Sequence, residues 1–66
     1  MKFNGQALKA IRETAGMTQE QLAAASGATF GTINRLENGH VEPTLSTVQK
    51  IADALAVSPT DLLTVN

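Results

Sequence analysis

Apolar residues recur along this chain at helical intervals. Leu8, Ile11 and Ala15 fall three and four residues apart, and Leu45, Val48, Ile51, Ala52 and Leu55 keep the same rhythm. Each set marks one face of a helix. Nowhere do β-branched residues alternate with polar ones over a strand-length run, so the pattern predicts no strand. Polar punctuation divides the apolar positions into five helices. Asn4 caps the first, with Phe3 and Leu8 placed as a hydrophobic staple, and Gly16 ends it. Thr18 opens the second with Gln21 three residues on, a capping box, while Met17 and Leu22 form its staple. Glu20 lies in the first turn, where the macrodipole favours a negative charge. Ala23, Ala24 and Ala25 propagate that helix, and Ser26 with Gly27 stops it. Thr29 caps a third helix running to about Asn38, closed by Gly39. After the connection His40, Val41, Glu42, Pro43, Thr44 caps the fourth. Ser58 caps a short fifth, with Pro59 at its first position, Asp61 two residues further in, and Val57 and Leu62 as the staple.

Short helices joined by short loops must pack on one another, so an all-α domain follows. Its expected core is Leu8, Ile11, Leu22, Ala23, Ile33, Leu36, Leu45, Val48, Ile51, Leu55 and Leu62.

Length sharpens this picture. The 66 residues allow one domain, spanning 1–66, and a chain of that size buries only about 60% of its unfolded surface. There is no Cys and a single His, so neither a disulfide framework nor a metal site is expected, and no cofactor is called for. No apolar run approaches the ~20 residues that span a bilayer. The opening residues, Met1, Lys2, Phe3 and Asn4, lack the apolar stretch of a signal peptide. A cytoplasmic setting without membrane contact is therefore expected. Ser26, Ser46, Ser58, His40 and the acids show no spacing that joins nucleophile, base and orienter, so no enzyme is expected.

Five basic against six acidic residues give a net charge of −1. That total removes the argument for nucleic-acid binding from a strongly basic domain, but distribution matters more than the sum. Residues 1–16 carry Lys2, Lys9 and Arg12 against Glu13. Residues 17–39 carry Arg35 against Glu20 and Glu37, and residues 40–66 carry Lys50 against Glu42, Asp53 and Asp61. The basic excess is N-terminal and the acidic excess C-terminal.

Residues 18–38 hold the most specific pattern. The second and third helices are separated by about three residues, Ser26, Gly27 and Ala28. Gly27 supplies the positive φ that so tight a turn needs. Ala23 and Ala24 are small enough to let the third helix cross closely, and Ile33 and Leu36 anchor it from below. This is the pattern of a helix-turn-helix.

At this point the chain resembles a known family. Thr18, Gln19, Glu20, Gln21, Leu22 and Ala23, then Gly27, then the run Ile33, Asn34, Arg35, Leu36, Glu37, Asn38, Gly39 resemble the Cro/C1-type (XRE) helix-turn-helix domains of phage repressors. Pro43, Thr44 and Leu45, the run from 51 to 55, and the run from 57 to 63 match in the same order, so the resemblance covers about residues 5–64. It implies a compact five-helix lambda repressor-like domain whose third helix enters the DNA major groove. It also implies a sequence-specific regulator of double-stranded DNA, with repression the expected sense, acting as a homodimer on a two-fold operator. Leu63 and Val65 are the apolar residues available for a weak dimer, or for ordinary core packing. The alternative is an antitoxin-type module that uses the same fold to hold a protein partner, a toxin or another regulator.

A helical wheel locates candidate contacts. With Ile33 at the core and steps of about 100°, Gly31, Asn34, Arg35 and Asn38 cluster on the opposite side, with Phe30 at the boundary. Arg35 has the fork to read guanine O6 and N7, and Asn34 has the amide to pair with adenine. Gly31 lets backbone approach DNA. Thr32 meets a phosphate or a thymine methyl, and Phe30 either packs at the core edge or meets a thymine methyl. Gln19, where free N–H groups favour an anion, and Asn38 match family phosphate contacts; Thr29 and His40 complete the candidate phosphate set. The loop after Gly39 is often basic in the family but here holds His40 and Glu42. By resemblance, Arg12 and Glu37 form an internal ion pair between the first and third helices. Few cations then remain for phosphates, which predicts a shallow salt dependence.

Overall fold

The structure, a computed structural model, describes residues 2–64. Four α-helices carry it: α1 (Gly5–Thr14), α2 (Gln19–Ser26), α3 (Phe30–Glu37) and α4 (Leu45–Leu55). Each expected N-cap is in place. Asn4, Thr18, Thr29 and Thr44 accept from the backbone N–H of Ala7, Gln21, Thr32 and Thr47. At Thr18 the box is reciprocal, with Gln21 Oε1 accepting from the Thr18 N–H at 2.8 Å.

All four helices end alike. A left-handed residue follows the last turn, and the next N–H returns to the carbonyl five residues back: Met17 to Arg12, Ala28 to Ala23, His40 to Arg35 and Val57 to Ala52, at 3.0–3.1 Å. Three of the left-handed residues are glycines; the fourth is Ala56, at φ 57°.

The expected fifth helix is a single 3-10 turn, Pro59–Leu62. It cannot lengthen, because Leu63 is already extended (φ −117°, ψ 152°) and paired. That pairing also corrects the expectation of no strand. β1 (Lys2–Phe3) and β2 (Leu63–Thr64) run antiparallel, Lys2 opposite Thr64 and Phe3 opposite Leu63. Two residues are too few to show alternation, so the pattern gave no warning. The Asn4 N–H donates to the Leu62 carbonyl at 2.7 Å, and Asn4 Nδ2 to Thr64 Oγ1 at 2.7 Å. The two ends of the described chain are thereby tied together.

The core is Leu8, Leu22, Ala23, Ile33, Leu36, Val48, Ile51, Ala52, Leu55 and Leu62. Ile11 is half-buried against it. Leu45 is not in it: the side chain is 85% exposed. Its spacing fits the stripe of α4, but side chains lean toward a helix N-terminus. As the first residue of α4, Leu45 leans past α2 and the 3-10 turn, on which that helix packs.

One close approach was not legible. Gly5 starts α1 against the last turn of α3. A Cβ there would overlap the Leu36 carbonyl oxygen and stand 2.8 Å from that of Glu37.

Candidate nucleic-acid interface

The turn between α2 and α3 comprises Gly27, Ala28 and Thr29, since Ser26 still belongs to α2. Gly27 sits at φ 75°, where a β-carbon is disfavoured. The Ser26 hydroxyl turns inward and donates to the Leu22 carbonyl at 2.8 Å. Ala23 is buried, but Ala24 is exposed, so only Ala23 of the two expected small residues faces inward.

α3 has three distinct sides. Ile33 and Leu36 are buried in the core. Opposite them Arg35 and Asn38 are exposed and Gly31 is half-exposed, while Phe30, at the boundary, is 50% exposed. A Cβ on Gly31 would meet only the Arg35 Nη2, at 4.0 Å, so Gly31 and Arg35 are neighbours on the outer face. Thr29 and Thr32 sit at the start, their hydroxyl oxygens 3.0 Å apart. His40 is exposed beyond the C-terminal end, tied there by its backbone.

The third side faces α1 and α2 through a chain of polar side chains. Arg12 Nε donates to Glu37 Oε2 at 2.6 Å and Nη2 to Oε1 at 3.2 Å. The remaining fork, Nη1, donates to the Met17 carbonyl at 2.7 Å. Both residues are buried, so the pair expected from resemblance exists and is withdrawn from the surface. The Glu37 hydrogen bond holds the Arg12 guanidinium above its usual pKa, against the opposing effect of burial. Gln19 Nε2 then donates to Glu37 Oε1 at 2.9 Å. Asn34 Nδ2 reaches Gln19 Oε1 at 3.4 Å, and Asn38 Nδ2 reaches Asn34 Oδ1 at 3.3 Å and the Asn34 carbonyl at 2.9 Å. No buried side-chain polar atom among the described residues lacks a partner.

Three consequences follow for the candidate residues. Gly31 and Arg35 lie together on the outer face, with Phe30 exposed at its boundary and Thr32 at its flank. Asn34 does not point outward with them; its amide is engaged on both sides. Gln19 and Asn38 are brought into one chain with it, which spacing alone did not signal. Leu63 is half-buried and occupied in the β1–β2 pair, and Val65 lies outside the described residues.

The helix-turn-helix family matches residues 8–62, most of the chain. The chain belongs to the Cro/C1-type helix-turn-helix family. A transcriptional regulator of this type from Sinorhizobium fredii, named y4dJ, is 36% identical over 63 residues, which cover 96% of this chain and 82% of that protein. Other curated helix-turn-helix relatives are longer, and the chain spans between 22% and 43% of their length. Among solved structures, the restriction-modification controller protein C.AhdI from Aeromonas hydrophila shares 34% identity and superposes with a TM-score of 0.87 over 89% of each chain. The P22 c2 repressor, solved in complex with a synthetic operator, shares 25% identity with a TM-score of 0.86 over 96% of each. The helix-turn-helix chain is thus a transcription-regulating, DNA-binding protein and not an enzyme. Among its described residues no group of His, Asp and Glu could hold a metal ion, and no helix is long and apolar enough to cross a membrane.

Proposed function

We propose that this chain is a sequence-specific repressor that reads double-stranded DNA by laying α3 in the major groove. The observation that carries this reading is the outer face of α3. Arg35 stands there fully available beside a bare backbone at Gly31, while Ile33 and Leu36 lock the opposite side into the core. A guanidinium fork on a rigidly held helix suits guanine O6 and N7. Phe30 is placed for a thymine methyl, and Thr32 for a methyl or a phosphate. Gln19, Thr29, Asn38 and His40 surround this face and serve the phosphates. Asn34 supports Gln19 and Asn38 in place of reading adenine itself. A small face with few cations gives modest affinity alone, so a homodimer on a two-fold site completes the reading.

Selection of bound duplexes from a random pool tests it. The wild type should enrich two-fold sites with a conserved G·C pair in each half. Arg35→Ala should weaken binding by about 1–3 kcal/mol and relax the preference at that pair. No enrichment at low salt would overturn the proposal.

A further inference from the structure

Lys50 is a cation for which the sequence offered no role. It sits six residues into α4, in the acidic part of the chain. The structure moves it beside the recognition elements. Lys50, Thr47, Thr29 and Thr32 line one cleft of about 280 Å³ between α4 and the start of α3, floored by the turn at Gly27 and Ala28. Lys50 is exposed and makes no ion pair among the described residues. The cleft carries three threonine hydroxyls and no acidic side chain.

Its position relative to α3 is what gives it a use. Measured from Ile33 in steps of about 100°, Gly31 stands near 160° and Arg35 near 200°, with Asn34 near +100° and Thr32 near −100°. The Asn34 flank leads to Gln19. The Thr32 flank leads to Thr47 and Lys50. A helix about 10–12 Å across fills a major groove about 12 Å wide, so a phosphate backbone runs along both of its flanks. Gln19 serves the Asn34 flank with a neutral amide, and on the other flank Thr29 and Thr32 offer hydroxyls while Lys50 alone of the cleft residues carries charge.

We propose that Lys50, with the Thr32 and Thr47 hydroxyls, contacts the phosphate backbone on the α4 side of the groove, opposite the wall met by Gln19. This rests on the groove-reading function above. One lysine neutralises one phosphate there, and it carries no base preference.

The test is a salt titration of the duplex selected by the wild type, comparing wild type, Lys50→Gln and Lys50→Arg, all with unchanged melting curves. Lys50→Gln should lower the slope of log K against log salt by about 0.9. Its affinity deficit at 50 mM salt should then be about 3.5-fold greater than at 200 mM, by that same slope. Lys50→Arg should keep the wild-type slope, and reselection with Lys50→Gln should return the same consensus. A wild type that binds its duplex while Lys50→Gln keeps the full slope overturns the Lys50 contact and leaves the function standing. A shifted consensus overturns it also, by making Lys50 a base reader. A wild type that enriches nothing overturns both.

Discussion

Gln19 stands between Glu37 and Asn34, donating to the buried carboxylate at 2.9 Å and accepting from the Asn34 amide at 3.4 Å. A residue at the surface end of α2 therefore shares an acceptor with the Arg12 guanidinium inside. The amides of Gln19, Asn34 and Asn38 and the buried ion pair form one network, and changing any member shifts its neighbours. Gln19→Ala removes a hydrogen bond to a charged group, worth about 1.5–3 kcal/mol when fully protected. Gln19 is half-exposed, so a loss of about 1 kcal/mol is expected by urea unfolding. DNA affinity should fall alike for the selected duplex and for single-base variants of it, because no base contact is lost.

Arg12→Ala leaves the Glu37 carboxylate buried without its partner. The expected cost is about 3–5 kcal/mol, a large share of the roughly 3–10 kcal/mol available to a chain this size. Circular dichroism should show Arg12→Ala mostly unfolded well below the wild-type midpoint. The double variant Arg12→Leu, Glu37→Leu removes both charges and should be more stable than either single one. Additive losses would contradict a paired origin.

Two helical glycines should respond with opposite signs. At Gly5 a methyl group collides with backbone carbonyls of Leu36 and Glu37, which cannot swing aside. Gly5→Ala should destabilise by about 1–3 kcal/mol, as overpacking does. At Gly31 the methyl group meets only a flexible guanidinium. Gly31→Ala should raise stability by up to about 1 kcal/mol and weaken operator binding by holding the backbone off. Thermal melts and binding titrations of both variants check this.

Ala56 is the non-glycine residue at positive φ among the described residues. Left-handed backbone costs a residue with a β-carbon about 1–2 kcal/mol, partly offset by the flexibility that glycine brings to the unfolded chain. Ala56→Gly should therefore stabilise by about 0.5–1 kcal/mol. The melting midpoint should rise by a few degrees, and DNA affinity should not change.

The sequence by itself determined whatever depends on local spacing. The caps at Asn4, Thr18, Thr29 and Thr44, the stops at Gly16, Gly27 and Gly39, and the inner stripe of Ile33 and Leu36 all follow from chemistry within one or two turns. The outward position of Arg35 follows from the same periodicity. Tertiary structure decided what depends on residues far apart in sequence. Leu45 and Val48 share a stripe, yet only Val48 has a helix to pack on. Gly5 is fixed by carbonyls more than thirty positions away. Asn34 has the amide of a base reader, but Gln19, fifteen residues earlier, claims it. Lys50 belongs to an acidic stretch of sequence and stands beside Thr29 and Thr32 only because α4 folds back along the turn. Periodicity says which way a side chain leaves its own helix; the packing of the other helices decides what it meets.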